Sequence, residues 1–322
     1  MQRIMLAGSA GAADITGMVQ KIDWSGSCEQ AARKLALAYI NAPYDPVVSS
    51  LPVPALGDYV SFQNDGEELF FGRNYSCEKT STYGTVTGNF IDDSQLLLKN
   101  KARYNFKHTT PEGVAAMVLA DFQFPAGDLA STGVEIESLI IEGDSAMDII
   151  VKAYNQAAKK NGKKYVYGME GRTFYVREKG EKTSVYELAE DKNITESKFA
   201  EQMDNLVNKV VIYDEKGNRI GEVSDGSSAA RYGSYQEIYQ KEKDVPDYQT
   251  AAKNLMTDPE QSISVTALGN TSCIAGRAVT LRDTATGLHG VYWIKSDRHT
   301  WENGIHTMQL ELSFKEIGGG NE

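Results

Sequence analysis

Most of the first hundred residues alternate between apolar and polar side chains, a pattern typical of β-strands with one buried face. The alternation is clear over residues 58–63, where Asn64-Asp65-Gly66 then supplies a turn. Residues 29–39 have a helix-forming composition, but the apolar side chains of their second half also alternate, so we predict a strand there. Residues 1–98 are therefore predicted to form an antiparallel β-barrel domain.

Residues 99–185 change to a mixture of helices and strands, which predicts a small α/β domain. Thr110-Pro111-Glu112 begins a helix with a capping hydroxyl, a proline at the first helical position and an acidic residue in the first turn. Asp144 is predicted to cap a second helix, and Asn161-Gly162 suits a left-handed end to it. Residues 165–176 then read as a β-hairpin.

The β pattern returns in residues 186–317, which are predicted to form a second β-barrel domain. A hairpin is expected over residues 207–223, a loop over 225–230 and a short helical insertion near 247–257. The glycine-rich tail, 318–322, is predicted to be disordered. The predicted fold class is mainly β with an α+β insert, in which two related antiparallel β-barrels flank a small α/β module.

Asn303-Gly304 is a strong signal for a two-residue hairpin near the end of the chain. The resulting register places Trp301 opposite His306, with His299 on the same face. Two histidines on neighbouring strands could ligate zinc if a third ligand were present. No cysteine or acidic residue lies at the spacing of a metal-binding motif. We therefore predict that the histidines have a structural role, and we predict neither a metal nor another cofactor.

The same register turns Lys295 and Asp297 towards the face that carries the apolar residues of the last strand. Charged side chains are rarely buried without a partner. The sequence therefore predicts a β-bulge or a longer loop in this hairpin.

Other candidate chemistry is weak. Three close carboxylate pairs (Asp92-Asp93, Glu135 with Glu137, and Asp297 with Glu302) could be imagined as acid and base, but a chain with 44 acidic residues contains such pairs by chance. We expect them to be solvated, and no catalytic residue is predicted. Nucleotide-binding, zinc-protease and nucleophile-elbow motifs do not occur. The three widely spaced cysteines are expected to be free, buried or half-buried thiols: Cys28, Cys77 and Cys273.

The charge balance is acidic, with a net charge of −11 and an isoelectric point of about 5.0. This disfavours specific nucleic-acid binding and attraction to anionic lipid. No apolar run is long enough to span a bilayer, and the first residues are too short for a signal peptide. We therefore expect synthesis in the cytoplasm without direct membrane insertion.

Several segments, in matching order over nearly the whole chain, resemble the XkdQ/YqbQ family of tail hub proteins from PBSX-type prophages. They are 57–60, 70–73, 205–210, 231–233, 287–294, 296–299 and 304–310. The resemblance, which extends to late-control-D hub proteins, implies a structural, non-enzymatic baseplate hub of a contractile tail. It implies a homotrimer with pseudo-sixfold symmetry that joins the hexameric tail tube to the trimeric central spike. It also implies contacts with other baseplate and LysM-bearing tail proteins, in a virion or an R-type bacteriocin.

Without the resemblance, the residues leave two other functions open besides the hub. One is a zinc-dependent cell-wall hydrolase that would use His299 and His306. The other is a carbohydrate-binding β-sandwich module that would stack exposed tyrosine and tryptophan rings on sugars. The first requires stoichiometric zinc, and the second requires solvent-exposed aromatic side chains.

Overall fold

Strands make up most of the N-terminal part of the chain, as the alternation predicts. The structure is a computed structural model that describes residues 1–8, 11–42, 44–47, 52–78, 84–178, 186–241 and 247–313. A short 3-10 turn lies at Thr16–Met18. The strand predicted over 29–39 is confirmed as part of β4. In chain order the strands are β1 (Gln2–Gly8), β2 (Gly11–Asp14), β3 (Val19–Ser27), β4 (Gln30–Asn41), β5 (Tyr59–Asn64), β6 (Glu67–Cys77) and β7 (Gly84–Asp92).

The middle of the chain is a mixture of helices and strands, and the separate α/β domain predicted there stays a prediction. Its helices and strands are α1 (Ser94–Lys99), β8 (Lys101–Thr109), α2 (Pro111–Asp121), β9 (Ala126–Leu129), β10 (Ile136–Ser145), α3 (Ala146–Asn161), β11 (Tyr165–Glu170) and β12 (Thr173–Glu178). The antiparallel pair β8–β10 lies beside α2 and α3, and β9 joins the β11–β12 hairpin as a parallel strand.

Helix ends in this region follow the capping chemistry of the sequence, with one correction. The Thr110 hydroxyl accepts a hydrogen bond from the backbone N–H of Gly113, and Gly162 ends α3 in the left-handed conformation, as predicted. The prediction that Asp144 caps α3 is wrong. Ser145 is the N-cap, because its Oγ accepts from the N–H of Asp148 at 3.1 Å, while Asp144 is still part of β10.

The C-terminal part returns to strands, with two short helices. They are β13 (Tyr186–Ala189), β14 (Ile194–Gln202), β15 (Lys209–Tyr213), β16 (Arg219–Ser224), α4 (Gly226–Tyr232), β17 (Gln236–Gln240), α5 (Tyr248–Lys253), β18 (Glu260–Leu268), β19 (Ala278–Asp283), β20 (Leu288–Glu302) and β21 (Ile305–Ser313). The predicted hairpin over 207–223 and the helix near 247–257 are confirmed as β15–β16 and α5. The predicted tail, 318–322, lies outside the described residues.

The prediction of a loop over 225–230 is wrong, because these residues begin helix α4. Asp225 caps the helix: its Oδ1 accepts hydrogen bonds from the N–H groups of Ser227 and Ser228. None of the residues of α4 is buried. The sequence therefore carries no apolar periodicity there, and only the capping residue indicates a helix.

Strands from the two ends of the chain form one large sheet. Its order is β14-β18-β21-β20-β3-β4-β7-β6-β5-β1-β2, with β19 paired to β20 and β13 to β19. The mainly β fold class is thereby confirmed. Among the described residues these pairings form an open order that closes no barrel, so the two related barrels stay a prediction.

The chain divides into two units by its internal contacts. The first comprises Met1–Glu196 and Val265–Gly318, and the second contains Ser197–Ser264. The first has one apolar core around β1 and β3–β7 and another between the helices and strands of the insert. The second has a small core on the β16-β15-β17 sheet, formed by Val210, Ile212 and Ala252. No described helix has the length and apolar character needed to cross a membrane.

The hairpin at Asn303-Gly304 has the predicted register. Trp301 pairs with His306, and the register shifts between Ile294 and Ser296, which confirms the predicted bulge. Lys295, the residue at the shift, is exposed. The Asp297 side chain still points into the core, so the bulge that exposes Lys295 does not remove Asp297 from the interior.

Candidate functional site

A buried ion pair joins the two ends of the chain in the middle of the large sheet. Arg33 on β4 donates two hydrogen bonds to the Asp297 carboxylate on β20, at 3.0 and 2.5 Å. The Asp297 side chain is fully buried, and that of Arg33 is 12% exposed. The guanidinium also stacks on the Trp24 ring at 4.0 Å. Asp297 is therefore neutralised inside the protein rather than solvated, which corrects the sequence-based expectation.

A glycine between the two strands makes this pair possible. Gly26 of β3 lies opposite Asp297 of β20, on the path that the Arg33 side chain takes across β3. A Cβ atom at Gly26 would lie 2.2 Å from a guanidinium nitrogen of Arg33. The missing side chain thus gives the guanidinium its route to the carboxylate.

The two candidate histidines lie next to this ion pair and bond to each other. His299 is fully buried, and its Nε2 lies 3.0 Å from the carbonyl oxygen of Cys273. Because a carbonyl only accepts, Nε2 of His299 carries the proton. Its Nδ1 therefore accepts the Nε2–H of His306, at 3.1 Å. Both nitrogens of His299 are used.

The same residues hold the loop before β19 against the sheet. The N–H of Ala275 donates to Asp297 at 2.7 Å, and the carbonyl of Cys273 accepts from His299. The His306 ring stacks on Trp301 with centroids 4.0 Å apart. We call Arg33, Asp297, His299 and His306 the buried polar cluster. Its contacts fix strands and a loop that are far apart in sequence.

The electrostatics of the buried polar cluster keep its histidines neutral at pH 7. Burial lowers the pKa of His299, and burial together with the neighbouring His299 lowers the pKa of His306 to about 4. A zinc ion would need free imidazole lone pairs, and His299 has none to offer. Among the described residues, no group of three or more histidines, cysteines and carboxylates is placed to hold a metal. The hydrogen bonds of the cluster fix β20 and β21 to each other and to the loop before β19.

The remaining carboxylate pairs do not converge on a common site. Glu135, Glu137 and Glu302 are exposed, as expected. Asp92 is buried, contrary to expectation, and accepts from the N–H groups of Arg33 and Ser94. Burial raises its pKa to about 6. Its role is to bind backbone donors at the end of β7.

Sequence reasoning found the histidine pair and missed its partner groups. Arg33 lies 264 residues from Asp297, so no motif links the two residues. Two local features agree with a buried and paired Asp297: its predicted register faces the core, and Gly26 interrupts a strand of the same sheet. The cysteine prediction is confirmed in that none of the three described cysteines forms a disulfide, with Cys273 buried and Cys28 and Cys77 half-buried.

Comparison with known proteins finds similar proteins in a phage-like element and among prophage tail proteins. A profile of the family described as YQBQ-like matches residues 22–313. The phage-like element PBSX protein XkdQ of Bacillus subtilis (strain 168) is 25% identical over 92% of this chain and 93% of its own length.

Two solved structures share the fold at lower identity. The 43 kDa tail protein of prophage MuSo2 from Shewanella oneidensis matches with a TM-score of 0.69 and 14% identity, over 97% of each chain. The E. coli c3393 protein, a type VI secretion component described as similar to the bacteriophage T4 tail proteins gp27 and gp5, has a TM-score of 0.55 and 8% identity. That match covers 95% of this chain and 76% of the other.

Proposed function

This chain belongs to the YQBQ-like family, and we propose that it is a structural subunit of the baseplate hub of a contractile tail. Three copies form a ring with pseudo-sixfold symmetry, which joins the hexameric tail tube to the trimeric central spike. The observation that carries the proposal is the match to a PBSX phage-element protein over nearly the full length of both chains. The subunit belongs to the assembled tail of a virion or of a phage-tail-like particle.

The buried polar cluster supports a structural rather than a catalytic role. Both ring nitrogens of His299 are committed to hydrogen bonds, and Nδ1 of His306, the one uncommitted imidazole nitrogen of the cluster, belongs to a ring that is stacked on Trp301. The cluster instead binds distant parts of the chain together, which a subunit under mechanical load requires.

The charge of the chain is compatible with a channel that passes DNA. A net charge of −11 per subunit repels phosphates, so a ring of such subunits would not retain nucleic acid by its backbone. The proposed partners are the tail tube and spike proteins, because c3393 is described as resembling T4 tail proteins. Other baseplate and LysM-bearing proteins are proposed as further neighbours.

Two of the tryptophan rings are buried, which disfavours their use in the carbohydrate-binding alternative. Trp24 and Trp301 are only 4% and 6% exposed, so neither ring is available to stack on a sugar. Both belong instead to the apolar core beside the buried polar cluster.

The proposal is tested by the mass of the protein in solution, alone and with its partners. Light scattering after size exclusion, at two concentrations, is expected to give three subunits, or a complex that contains three when spike protein is added. Negative-stain images should then show a threefold ring that binds tube protein on one face and spike on the other. A monomer that binds neither protein would overturn the hub proposal.

A further inference from the structure

One face of the α/β insert carries cations without partners. Side chains alternate along β8, so Lys101, Arg103 and Lys107 point to one side, and all three are exposed. The other side of the strand carries Phe106, which packs into the core with the helices. In the part of the chain that the structure describes, none of these three cations forms an ion pair, although most other arginines do.

The neighbouring strand adds an apolar residue to the centre of this face. Ile140 of β10 pairs with Asn105, between the positions of Arg103 and Lys107, and is 65% exposed. Glu142 of β10 is also exposed and pairs with Arg103 in the register, so the isoleucine lies among three cations and one carboxylate and the face stays basic. We call Lys101, Arg103, Lys107 and Ile140 the basic face.

The second unit carries a surface of opposite charge. Glu201, Asp204 and Glu260 are exposed, and Met203, which lies between the first two in sequence, is 40% exposed. Amides rather than cations bind these carboxylates: Gln202 donates to Glu260 and Gln261 to Glu201, each at 2.8 Å. Their negative charge is therefore not neutralised. We call Glu201, Met203, Asp204 and Glu260 the acidic patch.

We propose that the basic face of one copy binds the acidic patch of a second copy of this chain. Copies that each carry a net charge of −11 repel one another, so a stable contact needs local complementarity. The two surfaces supply it, with the apolar side chains Ile140 and Met203 at their centres to exclude water and strengthen the charge pairs. The partner of this contact is thereby a second copy rather than a different protein.

A contact between two different surfaces is heterologous, and each copy uses both of them. A heterologous contact whose rotation is one third of a turn closes a trimer in which neither surface is left free. The inference rests on the proposed hub function, for which it names the contact between subunits.

A charge-swap experiment on the full chain tests the contact. The trimer dissociation constant is measured by sedimentation equilibrium at 50 and 500 mM NaCl for four variants. One carries Lys101→Glu with Arg103→Glu, one carries Glu201→Lys with Glu260→Lys, and one carries all four changes. The control carries Lys159→Glu with Lys216→Glu, which alters net charge equally at two exposed lysines outside both surfaces.

Each two-site variant is expected to associate at least about tenfold more weakly, and the four-site variant to recover association close to that of the wild type. The control should change little, and salt should weaken the wild-type trimer. Circular dichroism and thermal unfolding establish that every variant is folded. Equal weakening of the control, or a four-site variant that stays weak, would overturn the contact.

The test separates this contact from the hub function itself. A wild-type chain that stays monomeric alone overturns the proposed contact, while images of a ring assembled with spike and tube would still support the hub. Conversely, a charge-swapped trimer that recovers association but binds neither tube nor spike would support the contact and count against the hub.

Discussion

Removing the Asp297 carboxylate gives a sharp test of the buried polar cluster. In Asp297→Ala, Arg33 keeps its charge and its buried position but loses both hydrogen bonds to the carboxylate. The N–H of Ala275 loses its acceptor as well. The perturbation therefore leaves a buried cation and a backbone donor without partners, in addition to removing a contact.

The expected loss of stability follows from these two groups. Breaking a buried ion pair by removing one partner costs about 3–5 kcal/mol, and an unsatisfied buried N–H costs about 1–3 kcal/mol. The stacking of Arg33 on Trp24 is present before and after the substitution, so it does not change the difference. The two costs together give an expected loss of about 4–8 kcal/mol in the free energy of unfolding.

Urea unfolding followed by tryptophan fluorescence measures this loss in the relevant unit. All three tryptophans, Trp24, Trp293 and Trp301, belong to the first unit, so their emission reports its unfolding and not that of residues 197–264. Glu302→Ala is a matched control on the same strand, because Glu302 is exposed. It should change stability by less than about 0.5 kcal/mol.

Replacement of both partners distinguishes a buried charge from a general packing defect. Arg33→Met with Asp297→Leu fills similar volume without charge, and such replacements of buried pairs are often neutral or stabilising. The double variant should recover most of the stability lost in Asp297→Ala. A loss below about 1 kcal/mol in the single variant, or a double variant that is no more stable, would refute the reasoning.

Three further outcomes follow from the same part of the structure and from one helix cap. A Cβ at Gly269 would lie 2.1 Å from Cγ of the His306 ring. Gly269→Ala should therefore lower the melting temperature and reduce the free energy of unfolding by about 2 kcal/mol. Gly17→Ala, the control, places its Cβ in open space and should change neither quantity. Folding lowers the pKa of His306 from 6.5 to about 4, so between these pH values the unfolded chain binds more protons than the folded chain. Stability therefore decreases as the pH is lowered through this range. In urea unfolding at several pH values, His306→Phe should remove about 2 kcal/mol of this pH dependence, and an unchanged slope would contradict the prediction. Ser145→Ala removes the cap of α3 and should cost about 1 kcal/mol in urea unfolding, and no change would show that the hydroxyl is dispensable.

Local chemistry made much of the fold predictable. The Thr110 cap, the left-handed Gly162 and the Asn303-Gly304 turn each specify a conformation within a few residues, and each prediction was confirmed. Alternation also identified β4 against its helix-forming composition. Helix α4 was not predicted, because it buries no side chain and so shows no apolar periodicity. The cap of α3 was predicted one residue too early, because aspartate and serine are both good caps.

The candidate site was less predictable, for a physical reason. The pairing of His299 with Met308 follows from a two-residue turn, but the burial of Asp297 follows from a contact with Arg33, 264 residues away. Charge patterns along one strand cannot distinguish a solvated carboxylate from one neutralised across a sheet. The core-facing register of Asp297 and the glycine at position 26 are the local signs of that contact.

The pairing of β3 with β20 has a consequence for how the chain reaches its folded state. Ser27 pairs with Ser296, and Lys21 with Glu302, so β3 finds this neighbour only after nearly all of the chain has been made. At about 5–20 residues per second, the ribosome needs roughly 15–50 s to synthesise the intervening segment. During that interval one edge of β3 is open to pairing with other nascent chains. A chain whose synthesis stops before β20 lacks the strand that pairs with β3 and cannot complete the large sheet.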